Sequence, residues 1–107
     1  MPQEKLPDWF TTLQSRHPKF MAAVEELGKA ARQEGPLTGK TAQLIQLAAA
    51  ASCRSEGAVH SHTRRALEAG ASAEEVRHAL LLLTSTIGFP TVAAALSWAE
   101  DVIGKKE

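Results

Sequence analysis

The sequence has no tyrosine, only one cysteine among its 107 residues, and no long apolar run. A single cysteine, Cys53, excludes an internal disulfide. The longest apolar stretch, 44–51, is interrupted by Gln46 and falls short of the roughly 20 residues that a membrane span needs. The first residues, MPQEKLPDWF, lack a basic region followed by an apolar one. We therefore expect no signal peptide and a cytoplasmic protein.

The chain also lacks an excess of charge of either sign. Lys plus Arg and Asp plus Glu both number 12, so the formal net charge is zero. Without a basic patch, neither nucleic acid nor an anionic membrane is expected as a partner. The length fits one domain, which we place at 1–107.

Glycine and proline punctuate the sequence at intervals and little alternates with period two, which predicts an all-α fold of about six helices. The second of these helices carries an apolar stripe made of Phe20, Val24, Leu27 and Ala31. Ser72 and Glu75 predict a capping box at the start of the fifth helix. The predicted helices cover about 8–16, 18–33, 39–51, 55–69, 72–83 and 91–103, the last closing at Gly104.

The third helix is apolar nearly all round, because Gln43 and Gln46 are its only polar side chains from Ala42 to Ala51. Such a helix is buried on all sides. In so small a chain we expect a neighbouring subunit to cover part of it. A buried Gln43 amide must find a partner or cost roughly 1–3 kcal/mol. A hydrogen bond to His62 would satisfy it.

The segment SEGAVHSH, at 55–62, holds a carboxylate and two histidines. At about 100° per residue, His62 falls in the middle of an apolar face. Glu56 and His60 are four residues apart, so they are neighbours at the margin of that face. Such a pair can do general acid–base work near neutral pH. The apolar face consists of Ala58, Val59, Ala66 and Ala69, and Ser61, Arg64, Arg65 and Glu68 lie opposite.

Structural interpretations compete with these functional ones. An inward His62 is also what a hydrogen-bonded core histidine looks like. A Glu–His pair four apart is also a helix-stabilising contact of roughly 0.2–0.5 kcal/mol. A metal would need at least a third ligand, and the spacing supplies none, so no metal is expected. Cys53 is best explained as a small buried residue.

Four features of residues 37–103 agree, in order, with one family. KTAQLIQLAAAA resembles its buried helix, HTRRALEAGAS its histidine and helix-ending glycine, AEEV its next helix start, and GFPTVAAA its Gly-x-Pro break. Together they resemble the carboxymuconolactone decarboxylase / alkylhydroperoxidase D superfamily. The resemblance implies an AhpD-like helical bundle that assembles as a homotrimer or hexamer. Residues 1–36 add N-terminal helices to this family core.

The peroxidase branch of this family uses a glutamate on the buried helix, then a C-x-x-C pair, then a histidine. With the helix-ending glycine setting the register, the histidine position falls on His62 and the glutamate position on Gln43. The cysteine positions fall on Ser55 and Ala58. Reducing a peroxide with a thiol pair needs one thiolate to attack and another to resolve the sulfenic acid. Alkylhydroperoxidase or peroxiredoxin-like activity is therefore not expected.

The decarboxylase branch also lacks the cysteine pair and uses no metal or organic cofactor. By this resemblance, His62 would protonate a carbanion-like or enol intermediate as carbon dioxide leaves. Glu56, His60 or Arg64 would assist by binding a carboxylate of a small substrate.

Gln43 and Ser55, at their motif positions, are further candidates for substrate binding. Two alternatives stay open. One is a non-catalytic oligomer that binds a small molecule, and the other is a thiol peroxidase that uses Cys53 with an outside thiol.

Overall fold

The structure, a computed structural model, describes residues 8–106. Across this range the chain forms seven helical segments and no strand, which confirms the predicted all-α fold. None of these described helices is both long and apolar enough to cross a membrane. The chain divides into two compact units, Met1–Pro36 and Leu37–Glu107. The helices are α1 (Asp8–Arg16), α2 (Pro18–Gln33), α3 (Gly39–Ser52), α4 (Glu56–Glu68), α5 (Ala73–Leu81), α6 (Thr84–Ile87) and α7 (Phe89–Lys106).

The first unit holds α1 and α2, whose bounds match the prediction. Pro18 stands in the first turn of α2, where its missing N–H removes no helical hydrogen bond. The predicted apolar stripe of α2 is exposed, with Phe20 62% and Leu27 71% accessible. The buried residue of α2 is Met21. The described part of the chain therefore leaves this stripe open to solvent.

Two helices of the second unit begin at serine caps. The Ser55 hydroxyl accepts a hydrogen bond from the Ala58 N–H at 3.3 Å and starts α4. At the start of α5, Ser72 Oγ accepts from the Glu75 N–H at 3.0 Å, and Glu75 Oε1 accepts from the Ser72 N–H at 2.9 Å. This is the predicted capping box, and it satisfies two backbone donors at once.

The same backbone motif ends both α3 and α4. At the end of α4, the Gly70 N–H donates to the Leu67 carbonyl at 3.1 Å and the Ala71 N–H to the Ala66 carbonyl at 2.9 Å. This pair of bonds is a Schellman motif, and it needs a left-handed residue at Gly70, whose φ is 101°. At the end of α3 the left-handed position is held by Arg54, with φ 56°.

The core of the second unit is built from α3, α4, α5 and α7. Leu47 and Leu80 are fully buried, and each such side chain contributes about 1.5–3 kcal/mol. More than half of the cluster is alanine, and small side chains allow helix axes to pack at short separation. Its buried members are Leu47, Ala50, Ala51, Val59, Ala66, Ala71, Val76, Leu80, Ala95, Ala99 and Ile103.

The structure differs from the prediction at the end of α5 and at the end of the last helix. Helix α5 ends at Leu81, where the Thr84 hydroxyl donates to the Leu81 carbonyl at 2.8 Å, and the short α6 follows. Gly88, with φ 90°, then separates α6 from α7. The predicted end of the last helix at Gly104 is wrong, because α7 continues to Lys106. A helical glycine costs only about 1 kcal/mol, which the buried Ile103 beside it offsets.

Candidate functional site

The two histidines of the SEGAVHSH segment lie on α4, which packs against both α3 and α7. Because they are two residues apart, their side chains leave the helix about 200° apart. His62 is hydrogen-bonded to α3 and His60 to α7. The structure therefore separates two histidine centres that the sequence grouped in one segment.

His62 is held by Gln43. The His62 Nδ1 and Gln43 Oε1 atoms are 2.9 Å apart, and the Gln43 side chain is buried, so the hydrogen bond predicted from the sequence is confirmed. An amide oxygen can only accept, which requires Nδ1 to carry the proton. In the neutral ring the lone pair is then on Nε2. A proton that the neutral ring takes up would therefore bind Nε2.

The buried face of α4 is rotated from the predicted one. Its fully buried residues are Val59, Thr63 and Ala66, while His62 is half-buried beside them and Ala69 is exposed. The prediction that His62 lies in the middle of the apolar face is therefore wrong. The cause is Thr63, which the pattern treats as polar although its methyl group allows it to be buried.

The Thr63 side chain also buries a polar atom that has no partner among the described residues. Its hydroxyl oxygen has no hydrogen-bond partner among the described residues, and Gln46 Oε1 on α3 is in the same state. An unsatisfied buried polar group costs roughly 1–3 kcal/mol.

His60 lies between two carboxylates. Its Nε2 is 3.0 Å from Asp101 Oδ2 on α7 and 4.0 Å from Glu56 Oε2, one helical turn before it on α4. The predicted Glu56–His60 contact is thus the longer of the two. Sequence reasoning missed Asp101 because it is 41 residues from His60, and no local spacing signals such a contact.

The positions aligned with the cysteine pair have other roles here. Ser55 caps α4 through its hydroxyl, and Ala58 donates its backbone N–H to that cap. Cys53 is exposed, so the prediction that it is buried is wrong. It lies two residues after Ala51, the last buried residue of α3, and is the C-cap of that helix, directly before Arg54 with its positive φ.

Two arginines follow His62 on α4, and both are half-buried. Arg64 is two residues on, so it leaves the helix about 200° from His62. Arg65 is three residues on, which places it about 60° from His62 and on the same flank, not opposite it as predicted from the sequence. Among the described residues, Arg65 makes no side-chain ion pair. Of the two, Arg65 is the cation on the His62 flank.

Comparison with known proteins shows which sequences and structures this chain is similar to. The sequence profile of the carboxymuconolactone decarboxylase family matches residues 18–101. A similar solved structure is an apo crystal structure of a carboxymuconolactone decarboxylase family protein from Legionella pneumophila. The TM-score is 0.78, with 23% identity, 92% of this chain covered and 88% of that one. A search of curated proteins gave no match.

Proposed function

Since the chain belongs to the carboxymuconolactone decarboxylase family, we propose that it is a small cofactor-free decarboxylase or lyase with His62 as its acid–base group. The 2.9 Å hydrogen bond between His62 Nδ1 and Gln43 Oε1 carries this proposal. A hydrogen bond on one ring nitrogen decides which nitrogen can react. In this proposal the reacting position is Nε2, and the hydrogen bond supports it by holding the ring in one orientation.

The reaction follows from that tautomer. When the bond to a carboxylate breaks, carbon dioxide leaves and the electron pair stays on the substrate carbon as a carbanion or enolate. A doubly protonated His62 then gives its Nε2 proton to that carbon. The ring is left neutral with its proton on Nδ1, which is the form that the Gln43 carbonyl stabilises. Gln43 can thus accept the same hydrogen bond in both protonation states, and the ring does not need to turn.

The substrate carboxylate needs a cation on the same flank as His62. We assign this role to Arg65, because it lies on that flank and has no ion pair among the described residues. Arg64 was predicted from the sequence to bind the substrate carboxylate, but it leaves α4 on the side opposite His62. His60 is also less suited, because its two neighbouring carboxylates repel a further anion.

Release of carbon dioxide from carboxymuconolactone and related small lactone or keto carboxylates tests the proposal. We expect His62→Ala to lower turnover by roughly 10²–10⁴-fold, the usual contribution of a positioned acid or base. His78→Ala, which removes an exposed histidine on α5, is the matched control and should leave turnover unchanged. Gln43→Glu places a carboxylate beside the ring, which favours imidazolium and moves the His62 limb of the pH–rate profile to higher pH.

Two results would contradict this function. Full turnover by His62→Ala would exclude the ring as the acid–base group. Failure of the wild-type chain to release carbon dioxide from any of these acids would favour the non-catalytic alternative. Binding would then be seen as a ligand-dependent shift of the His62 ring signals in NMR spectra.

A thiol peroxidase is the weaker alternative. Exposure of Cys53 removes one objection to it. The main objection stands, because Ser55 and Ala58 supply no thiol that could resolve a sulfenic acid. Peroxide consumption by the wild type that is lost in Cys53→Ser would support this function.

We also propose that the protein assembles with copies of itself, as a trimer or hexamer. Large apolar side chains that the single chain leaves exposed support this, on α2 and at Ile45 and Phe89 of the second unit. Exposed contiguous apolar surface is typical of association sites.

A further inference from the structure

We propose that Glu56, His60 and Asp101 form a binding site for a divalent transition-metal ion such as Zn²⁺. Each of the three offers one ligand atom, and these atoms lie within 4.8 Å of one another. No other group of three such ligands comes this close among the side chains that the structure describes. The proposal goes beyond the acid–base function, because this centre lies on the flank of α4 opposite His62.

The distances fit a tetrahedral ion. Bonds of about 2.1 Å to nitrogen and oxygen place neighbouring ligand atoms about 3.4 Å apart. Here His60 Nε2 is 3.0 Å from the Asp101 oxygen and 4.0 Å from the Glu56 oxygen, values on either side of that distance. The Glu56 and Asp101 oxygens lie within 4.8 Å of each other, so a rotation of the exposed carboxylates toward His60 would bring all three ligands onto one ion.

The donor set selects the class of ion. One imidazole nitrogen with two carboxylate oxygens suits zinc and similar transition metals, whereas Mg²⁺ and Ca²⁺ prefer oxygen alone. Two carboxylates also balance the charge of a divalent ion. Three protein ligands leave a fourth position for water or a small ligand.

The site is supported and accessible. Glu56 and His60 stand one turn apart on α4, and Asp101 comes from α7, which packs against it. The His60 side chain is 23% exposed and thus anchored, while the two carboxylates are more than half exposed and open to ions from solvent. The sequence alone supplies two ligands, and the fold supplies the third.

A second Glu–His pair provides an internal comparison. Glu74 and His78 on α5 have the same spacing as Glu56 and His60 and are both exposed. They belong to no three-ligand group among the described residues, and Glu74 is already paired with Arg77. If a Glu–His pair alone bound the ion, both pairs would bind it.

The experiment is a calorimetric titration of the 107-residue chain with ZnCl₂, with the thermal unfolding temperature as a second readout. We expect one ion per chain and a rise in the unfolding temperature, because an ion that binds only the folded state stabilises it. Asp101→Asn and His60→Ala should each weaken binding at least tenfold and abolish the rise. His78→Ala should bind as the wild type does, and MgCl₂ should not substitute.

Several outcomes would overturn the proposal. These are no zinc binding by the wild type, unchanged binding in Asp101→Asn, or a loss of binding in His78→Ala equal to that in His60→Ala. Circular dichroism verifies that each variant is folded. Asp101→Asn nearly preserves size, so weaker binding in this folded variant reports the lost ligand.

Discussion

Two residues at the ends of α3 and α4 occupy the same backbone position with different chemistry. Gly70 and Arg54 both have positive φ and both close a Schellman motif. Glycine adopts this conformation without strain, whereas a residue with a Cβ is disfavoured by about 1–2 kcal/mol. A Cβ at Gly70 would meet no atom within 4 Å, so the conformational effect can be measured there without a steric one.

Exchanging the two residue types should change stability in opposite directions. Arg54→Gly removes the unfavourable positive φ of arginine, but it also raises the conformational entropy of the unfolded chain. The free energy of unfolding should therefore rise by roughly 0.5–1 kcal/mol. Gly70→Ala should cost about 1 kcal/mol or more. Urea unfolding measures both, and Arg54→Ala, which keeps the strain and removes the guanidinium, is the control. An Arg54→Gly chain no more stable than Arg54→Ala would contradict this explanation.

At the residue scale, the part of the candidate site that depends on a local sequence pattern was predictable. Gln43 is an amide in an otherwise apolar helix and needs a partner, which led to His62. Asp101 was not predictable, since it meets His60 through the packing of α7 on α4. Cys53 was wrongly predicted as buried because it lies at the C-cap of α3, and the left-handed residue that ends this helix is an arginine, which gives no sequence signal of a helix end.

At the scale of helices, two ion pairs tie α5 to its neighbours. Glu75 and Lys40 of α3 are 2.9 Å apart, and Arg77 is 2.7 Å from Glu100 of α7. The Ser72 backbone N–H, with Lys40, holds the pKa of Glu75 below its usual range. The Arg77 guanidinium does the same to the pKa of Glu100. Both carboxylates therefore favour the folded state when they are charged.

This arrangement predicts a sign for acid destabilisation. A carboxyl whose pKa is lowered by folding contributes fully above its ordinary value of 4.5 and loses the contribution as pH falls through the lowered pKa. The urea midpoint should therefore fall as the pH drops below about 4.5, and it should fall less in Glu100→Gln.

Glu68→Gln, at an exposed position of α4, is the control for this pH dependence. Its profile should follow that of the wild type. A Glu100→Gln profile that also follows the wild type would show that the Arg77 pair does not contribute to stability.

The helices themselves were largely predictable. Proline at 18 and 36, glycine at 70 and the serine caps at 55 and 72 are local signals, and helix bounds near them agree with the structure. The stretch 82–90 was less predictable, because the end of α5 depends on one threonine hydroxyl bonding back to Leu81. The helix end predicted at Gly104 was wrong, because tertiary packing overrides a single unfavourable helix residue.

At the scale of the whole molecule, apolar surface is left open on the single chain. On α2, Phe20 and Leu27 form part of one exposed stripe, and in the second unit Phe89 is 66% exposed. Burial of one such side chain contributes about 1.5–3 kcal/mol. Several together, repeated on each copy, can offset the entropy lost on association.

We predict that light scattering after size exclusion gives three or six times the mass of one chain. Phe20→Glu and Leu27→Glu should shift this mass toward the single chain, since each buries a charge in the contact. Lys29→Glu, an exposed change on the same helix, is the control. A wild-type chain that stays monomeric would contradict the assembly.

The alanine-rich core has a consequence for which mutations the protein can accept. Where helices meet through methyl groups, removing atoms leaves little empty space, because an Ala50→Gly or Ala99→Gly change deletes a single carbon. Added atoms have nowhere to go, so Val or Leu at these positions must separate whole helices. Side chains larger than alanine are thus excluded from these positions of the interior. Where one is introduced, the helix surfaces that hold His60 and His62 are displaced.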